Sequence, residues 1–574
     1  MKIEKKQAEL IYAAIVIIIP FAIVLAGIGK LNGIFFPPDE FGYWESAASI
    51  LGKDWKNISS LQSFYAKGYG LILAPIMAMI DSSIIMYRVA ILLNAVMVAV
   101  TGLVLPELVK TLIPGIDQVD LLFSCIPASL YVGTLSYMHY TLAESLLQVC
   151  FVLLCLFWAK YCQTKGFKLQ IIILLLSSYL FLSHYRTFPI LIVTLILFAI
   201  TGLKNENDNG LKNTQKRICV IGILVIMLLL LGCSLWFIRK YSLQDVYLQD
   251  QLIRLKSCFG RDNIWKLLMG FCGKCTYLTI ASFGLTWVSV YFLIKHCKLK
   301  TFSIFFIISL LGCLLVSTAF FGESTHLDYV FYGRYTEFFV PVLIAIGFSS
   351  IGMIEQRDII KYVNLIGVPA FMTIYLLYVS FSGTNVEYRN DFIPAIAWAV
   401  GSNPKSVSLI AIKVVIVFSL LQFEIFGRGA TNDGGQNSET RKILKSKHIV
   451  ETVCGILFLI LALSNVSRSV YPYHQADISD IALFKTINQE EQKERKIVFF
   501  DNIGTNYVGL MQFYLKDSEI DVIDGNSSEE RARLIESTTP EKCVIATYID
   551  DLNAKGIAVN YEHCMKSEHF ILYY

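Results

Sequence analysis

Long apolar runs recur along the first 465 residues of the chain, and short polar segments separate them. A run of about 18 or more apolar residues can cross the hydrocarbon core of a bilayer as a helix. The pattern predicts about thirteen such spans, at 11–29, 84–105, 118–135, 143–159, 169–184, 187–203, 218–238, 275–294, 301–320, 337–354, 362–381, 406–425 and 449–465. The predicted fold class is therefore mainly α, a polytopic membrane protein with its transmembrane domain at residues 1–465.

Lysine and arginine residues mark one side of these spans. They precede the first span and recur in every second connecting segment, up to the basic run at 441–447. Cytoplasmic loops carry this excess of basic residues, so the N-terminus is predicted to be cytoplasmic. An odd number of spans then places the C-terminus outside, in a multi-pass protein of the plasma (inner) membrane. The long outer segments are 30–83, 239–274 and the part of the chain after 466.

The pattern changes after residue 466, where short apolar stretches alternate with charged ones. Strands are predicted at 496–501, 519–523, 543–549 and 569–574, and helices at 506–515 and 528–536. Residues 470–574 carry 18 acidic and 10 basic side chains, a net charge of −8. Strands that alternate with helices favour a small α/β layer. Residues 466–574 are therefore predicted to form an extracytoplasmic α/β domain.

The cysteines and the composition limit the chemistry. The C-x-x-C pair Cys272 and Cys275 has no second pair or histidine cluster to complete a zinc site. Cys543 and Cys564 lie in the outer domain, where the compartment permits a disulfide between them. Their spacing alone does not show whether they form one. A chain that is 55% hydrophobic and 16% charged is not a soluble or nucleic-acid-binding protein. No cofactor is predicted, and the sequence does not exclude a divalent metal ion.

The candidate chemistry begins directly after the first span, where Asp39 and Glu40 follow Pro37 and Pro38. The prolines are expected to stop the helix, which brings the two carboxylates out at the membrane surface. An ionisable pair at that boundary is a functional hypothesis by default. The alternative is a solvated pair that only marks the end of a helix.

Further polar residues are predicted on the same outer face. Glu144 opens the fourth span, Arg186 lies between spans five and six, and Arg334 opens the tenth, while Lys67 lies in the first outer loop. A carboxylate at this depth can act as a general base, and Lys67, Arg186 and Arg334 can hold a phosphate. Nearby aromatic residues are expected to line the substrate site, namely Tyr43, Trp44, Tyr69 and Tyr335.

Each of these residues also has a structural interpretation. Glu144 suits the dipole at a helix start, Arg186 suits an interfacial anchor, and Lys67 suits contact with lipid headgroups. The aromatic residues suit the belt found at membrane interfaces. The sequence does not choose between these interpretations.

The arrangement resembles the GT-C superfamily of glycosyltransferases that use polyprenyl-phosphate sugars, which includes protein mannosyltransferases and aminoarabinose transferases. The resemblance lies in the acidic pair of the first outer loop, the acidic residue that opens the fourth span, and Arg334-Tyr335 before a late span. The family's frequent Lys-Pro-Pro is similar to Lys67-Gly68-Tyr69, of which only the lysine matches. The resemblance implies that Asp39, assisted by Glu40 and Glu144, is catalytic.

The resemblance implies an inverting glycosyltransferase. It would move a sugar from a polyprenyl-phosphate carrier to a glycan, lipid or protein acceptor of the cell envelope, among membrane lipids as its other partners. One alternative is a polymerase or ligase of lipid-linked oligosaccharides, which should depend on outer arginines and a histidine. Another is a lipid or solute transporter, which should place polar residues near the middle of the membrane.

Overall fold

The computed structural model describes residues 5–34, 37–53, 55, 58, 66–204, 264–321, 327–353, 359–381, 392–397, 407–422, 439–472, 478–487, 496–501, 506–524, 542–547, 561 and 563–574. The predicted span 218–238, most of the outer segment 239–274 and the predicted helix 528–536 lie outside these residues.

Helices make up nearly all of the described part of the chain before residue 472. They are α1 (Lys5–Gly27), α2 (Pro37–Ile50), α3 (Lys67–Met79), α4 (Ser83–Leu112), α5 (Gln118–Ser129), α6 (Val132–Tyr137), α7 (Glu144–Thr164), α8 (Phe167–Ser183), α9 (Phe188–Lys204), α10 (Ile264–Ala281), α11 (Leu285–Lys295), α12 (Lys300–Phe321), α13 (Leu327–Phe331), α14 (Val340–Ser350), α15 (Ile359–Tyr362), α16 (Val368–Phe381), α17 (Val407–Gln422) and α18 (Glu439–Asn465). Short 3₁₀ turns at Tyr185–Thr187 and Glu337–Phe339 precede α9 and α14.

The apolar runs form helices as predicted, and the chain is a multi-pass membrane protein. Six helices of the described residues are long and apolar enough to cross a bilayer, and one bent pair provides a seventh candidate span. Several shorter apolar helices, such as α8, accompany them. The total of about thirteen spans stays a prediction.

Two predicted spans are broken. The span predicted at 118–135 is divided between α5 and α6, which meet at Leu130 and Tyr131. The span predicted at 275–294 is the pair α10 and α11, bent by 97°. Gly284 occupies the bend with a φ of +80°, a conformation that costs glycine little. An apolar pattern does not show such a bend, since both arms bury apolar residues.

The first outer loop contains two helices, α2 and α3. Helix α3 contains the short apolar stretch of this loop, and α2 contains the acidic pair. The two prolines begin α2 rather than end the helix before it. Proline suits a first helical turn because the missing N–H would have no partner there. Asp39 and Glu40 in the same turn suit the positive end of the helix dipole.

The C-terminal segment forms a mixed five-stranded sheet. Its strands are β1 (Lys496–Asp501), β2 (Ile520–Asp524), β3 (Lys542–Thr547), β4 (Cys564–Lys566) and β5 (Phe570–Tyr573), accompanied by helices α19 (Ile478–Ile487) and α20 (Asn506–Tyr514). The strand order is β2-β1-β3-β5-β4, with β1 parallel to β2 and β3, and β5 antiparallel to β3 and β4. The four predicted strands and the helix at 506–515 are confirmed; α19 and β4 were not predicted.

The strand order separates the two cysteines that were candidates for a disulfide, Cys543 and Cys564. Because β5 lies between β3 and β4, the backbones of Cys543 and Cys564 are separated by two strand spacings, about 9–10 Å. That separation exceeds the reach of a disulfide. Cys564 is a free, exposed thiol.

Candidate active site

Four of the predicted site residues meet in one ion-pair cluster. Nε of Arg334 lies 2.5 Å from Oε1 of Glu144, and Nη1 of Arg334 lies 2.5 Å from Oδ2 of Asp39. The same Oε1 of Glu144 accepts a hydrogen bond from Nη2 of Arg186 at 3.0 Å. Glu144 therefore joins two guanidinium groups, and Arg334 joins the first outer loop to the start of α7.

Burial distinguishes the members of this cluster. The side chains of Glu144, Arg186 and Arg334 are 4% exposed or less, whereas that of Asp39 is 21% exposed. Asp39 is thus the carboxylate that a molecule from outside can reach. The cluster contains two acidic and two basic groups, so its charges balance before any ligand binds.

Arg186 has bonding capacity left over. Neither its Nε nor its Nη1 finds a hydrogen-bond acceptor among the described residues, although both atoms are buried. Buried donors without partners are costly, and the cost is larger for a charged group. An anion placed against this edge of the guanidinium would satisfy these donors. Arg186 is therefore better suited to hold phosphate than its position in a turn suggested.

The segment that carries Arg334 is fixed by close packing. Nζ of Lys274 donates to the backbone carbonyls of Tyr329 and, at 3.1 Å, of Val330, at the end of α13. A β-carbon at Gly333 would overlap the ring of Tyr277. The ammonium of Lys274 is buried against the protein backbone. It orients the segment before Arg334.

Glu40 has a different environment from its neighbour Asp39. It is fully buried, and its Oε1 accepts bonds from the hydroxyl of Tyr87 at 2.8 Å, from N of Thr141 at 2.6 Å and from Oγ1 of Thr141 at 2.9 Å. Three donors around one carboxylate oxygen stabilise its charge and fix its position. Glu40 attaches α2 to α4 and to the turn before α7. This arrangement argues against the catalytic role predicted for it.

The predicted aromatic lining is largely interior packing. Tyr43, Trp44 and Tyr69 are fully buried, and the rings of Tyr43 and Tyr69 meet edge to face at 5.4 Å. Burial raises the pKa of the Tyr43 hydroxyl, and the nearby Glu144 carboxylate raises it further, so this hydroxyl stays protonated. Tyr335 is partly exposed and lies 5.1 Å beneath the guanidinium of Arg186. Of the four predicted residues, Tyr335 alone is placed to meet a ligand.

Lys67 lies apart from the ion-pair cluster. It is exposed at the start of α3, and its charge acts on Glu45, a buried carboxylate of α2. Burial raises the pKa of Glu45, and Lys67 opposes that shift. Asp39, Glu144, Arg186 and Arg334 therefore share direct contacts, whereas the charge of Lys67 acts on Glu45.

No part of the described chain brings three or more His, Cys, Asp or Glu side chains together as a metal site. The contacts that sequence reasoning missed are those of Tyr87, Thr141, Lys274 and Phe513. Tyrosine, threonine and phenylalanine are common in apolar segments, and the burial of Lys274 follows only from its folded contacts.

The helices, the ion-pair cluster and the appended α/β sheet define a membrane protein with the GT-C-type fold. Over 98% of its length the chain superposes on 97% of ArnT from Cupriavidus metallidurans bound to undecaprenyl phosphate, with a TM-score of 0.53 and 11% sequence identity. The fold predicted from the sequence is confirmed by this likeness.

Two other solved structures are similar at a lower level. The apo state of the same ArnT gives a TM-score of 0.49 at 12% identity, with 98% of this chain and 97% of that chain covered. Arabinosyltransferase EmbB from Mycobacterium smegmatis gives a TM-score of 0.42 at 12% identity, with 80% of this chain and 42% of that chain covered. No protein-family model and no curated protein sequence matches the chain.

Proposed function

We propose that the protein is an integral membrane glycosyltransferase that transfers a sugar from a polyprenyl-phosphate carrier to a cell-envelope acceptor. The observation that carries this proposal is the buried Arg186, whose Nε and Nη1 lack acceptors among the described residues, in the same ion-pair cluster as the accessible carboxylate of Asp39. A phosphate needs such donors, and an acceptor hydroxyl needs such a base. The shared fold with an ArnT that holds undecaprenyl phosphate supports the donor class.

The proposed reaction is a single inverting displacement. The acceptor oxygen attacks the anomeric carbon, its proton passes to Asp39, and the bond between that carbon and the phosphate oxygen breaks. The polyprenyl phosphate leaves with the bonding electrons, and its growing negative charge is stabilised by Arg186 and Arg334. Asp39 is suited to this role because it is the most exposed carboxylate of the cluster and its ion pair with Arg334 holds it in position.

Glu144 serves this reaction by holding the two arginines. Its Oε1 accepts from both guanidinium groups, so it sets their separation and prevents them from repelling each other. Tyr335, beneath Arg186, offers an aromatic face to the sugar ring or the prenyl chain. Lys67 is a weaker candidate for phosphate than Arg186, since its charge acts on Glu45.

The proposed topology places this site on the outer side of the plasma membrane, with the N-terminus in the cytoplasm and residues 466–574 outside. The acceptor is then a glycan, lipid or protein of the cell envelope. The basic segments of the sequence support this orientation.

Native mass spectrometry with undecaprenyl phosphate tests the donor class. The purified protein should retain one molecule of the lipid, and Arg186→Ala should lose most of that binding. Lys30→Ala is the matched control, because Lys30 is exposed at the end of the first span and its ammonium lies over the ring of Tyr471. Equal retention by all three proteins would show that the phosphate does not bind at Arg186.

A further inference from the structure

The C-terminal unit packs against the helix that carries Asp39. Residues 513–516, here called the docking segment, comprise the end of helix α20 and the first residues of the turn after it. The fully buried ring of Phe513 meets the indole of Trp44 at 5.4 Å and the ring of Tyr87 at 6.2 Å, both edge to face. Aromatic pairs in this geometry add to the burial of their apolar surface. Phe513 thus completes the packing around α2 on the side that faces the C-terminal unit.

Both partners of Phe513 hold Glu40 in place. The hydroxyl of Tyr87 donates to Glu40 directly. Nε1 of Trp44 donates to Oγ1 of Thr141 at 3.0 Å, and that hydroxyl donates its own proton to Glu40. Tyr87 and Thr141 thus make the three hydrogen bonds described above for Glu40, and Phe513 packs on Tyr87 and on Trp44, the partner of Thr141.

The rest of the docking segment fixes the neighbouring elements. Nζ of Lys516 donates to the carbonyls of Met77 at 3.0 Å and Ile80 at 2.7 Å, which belong to the end of α3. These carbonyls have no partner within the helix, so a buried ammonium satisfies them and suits the dipole. Oγ of Ser83, at the start of α4, donates to the carbonyl of Phe513 at 3.0 Å.

We infer that the C-terminal unit completes the active site, with Phe513 as a positioning residue for Asp39. Asp39 precedes Glu40 in the first turn of α2, so a shift of Glu40 displaces the catalytic carboxylate. A displacement of about 1 Å can lower a rate on the order of a hundredfold. Arg186 lies in the turn before α9 and does not touch the docking segment, so donor binding should persist. This inference rests on the proposed function for its catalytic readout.

The test compares Phe513→Ala with Phe570→Ala in the full-length protein. Phe570 is also a fully buried phenylalanine of the C-terminal unit, but it packs on Phe484 and Phe499 within that unit. Phe513→Ala should lower kcat for sugar transfer by about ten- to a hundredfold with an unchanged KM for the donor. Phe570→Ala should lower the melting temperature with little change in kcat. Phe513→Leu keeps a large apolar side chain and should therefore retain most of the wild-type kcat.

Hydrogen exchange gives a readout that does not require transfer. Phe513→Ala should increase deuterium uptake in residues 37–50, whereas Phe570→Ala should leave that helix protected. Equal loss of kcat in the two alanine variants, or unchanged exchange in 37–50, would overturn the positioning role. If the exchange rises as expected but wild-type protein transfers no sugar from any polyprenyl phosphate, the proposed function is wrong and the packing relation is not.

Discussion

Arg334 and Glu144 meet with Nε and Oε1 only 2.5 Å apart, although 190 positions separate them in the chain. The same guanidinium reaches Asp39 in the first outer loop. This pair is therefore the point at which three distant parts of the sequence come together.

Asp39→Asn should lower transfer by about 10²–10⁴-fold, the usual contribution of a positioned general base. The fold should survive, because Asp39 is partly exposed and Arg334 keeps its bond to Glu144. Rates with a labelled polyprenyl-phosphate sugar in nanodiscs provide the measurement. Asp517→Asn, which removes another ion-paired but exposed aspartate, is the control. Near-normal turnover by Asp39→Asn would refute the assignment of the base.

Glu40→Gln and Glu40→Ala should act on stability more than on chemistry. Glutamine keeps an acceptor oxygen but loses the charge that strengthens three hydrogen bonds, a cost of about 1–3 kcal/mol in the free energy of unfolding. Alanine leaves Thr141 and Tyr87 without their acceptor and should cost more. Melting temperatures of the purified variants measure this order. A stable but inactive Glu40→Gln variant would show instead that Glu40 takes part in catalysis.

Arg186→Ala and Arg334→Ala should weaken the interaction of the site with the donor phosphate. Loss of a charge-assisted contact costs about 1.5–3 kcal/mol, or roughly ten- to a hundredfold in rate or affinity. If the contact exists in the ground state, the donor KM rises; if it forms with the leaving group, kcat falls. Lys67→Ala should have a smaller effect, near that of Lys30→Ala. Donor-dependent kinetics of the four variants decide this, and a larger effect at Lys67 would contradict the ranking.

Glu45 should make the stability depend on pH. Burial raises its pKa above the ordinary value of 4.5, so its contribution is complete below about 4.5 and is lost as the pH rises through the higher value in the folded protein. Glu45→Gln should flatten this decline in melting temperature, and Lys67→Ala should steepen it by removing the opposing charge. Glu107→Gln, at an exposed ion pair, is the control. Parallel melting curves for wild type and Glu45→Gln would contradict the expectation.

Cys564 reports the side on which the C-terminal unit lies. It is a free, exposed thiol in β4, so a membrane-impermeant maleimide should label it in intact cells. Cys564→Ser should remove that signal, which separates it from the other cysteines. Labelling that appears only after lysis would place the unit in the cytoplasm and reverse the proposed sidedness of the active site.

The sequence predicted the elements better than their junctions. Apolar runs identify helices such as α4 and α7 because burial in lipid or protein demands a continuous apolar surface. The same runs do not reveal the bend at Gly284, where the chain turns by 97° without losing apolar character. The prolines before Asp39 were interpreted as a stop, whereas they begin α2.

The candidate site was predicted as a set of charges on one face, and four of them do meet. Residue type alone cannot distinguish Asp39 from Glu40, because two adjacent carboxylates point in different directions from a helix. Their separate environments depend on Thr141 and Arg334, which lie far away in the chain. Tyr43, Trp44 and Tyr69 were assigned to the lining for their chemistry, but their burial makes them packing residues.

The hydroxyl of Tyr514 donates to the carbonyl of Asn32, 482 positions earlier. At roughly 5–20 residues per second, a ribosome needs about 25–95 s to make the intervening chain. During that interval the first outer loop is already synthesised, yet the surface of α2 that faces the C-terminal unit has nothing to cover it. A chain that stops before Tyr514 therefore leaves this surface of α2 uncovered, where proteases and chaperones of the membrane can recognise it.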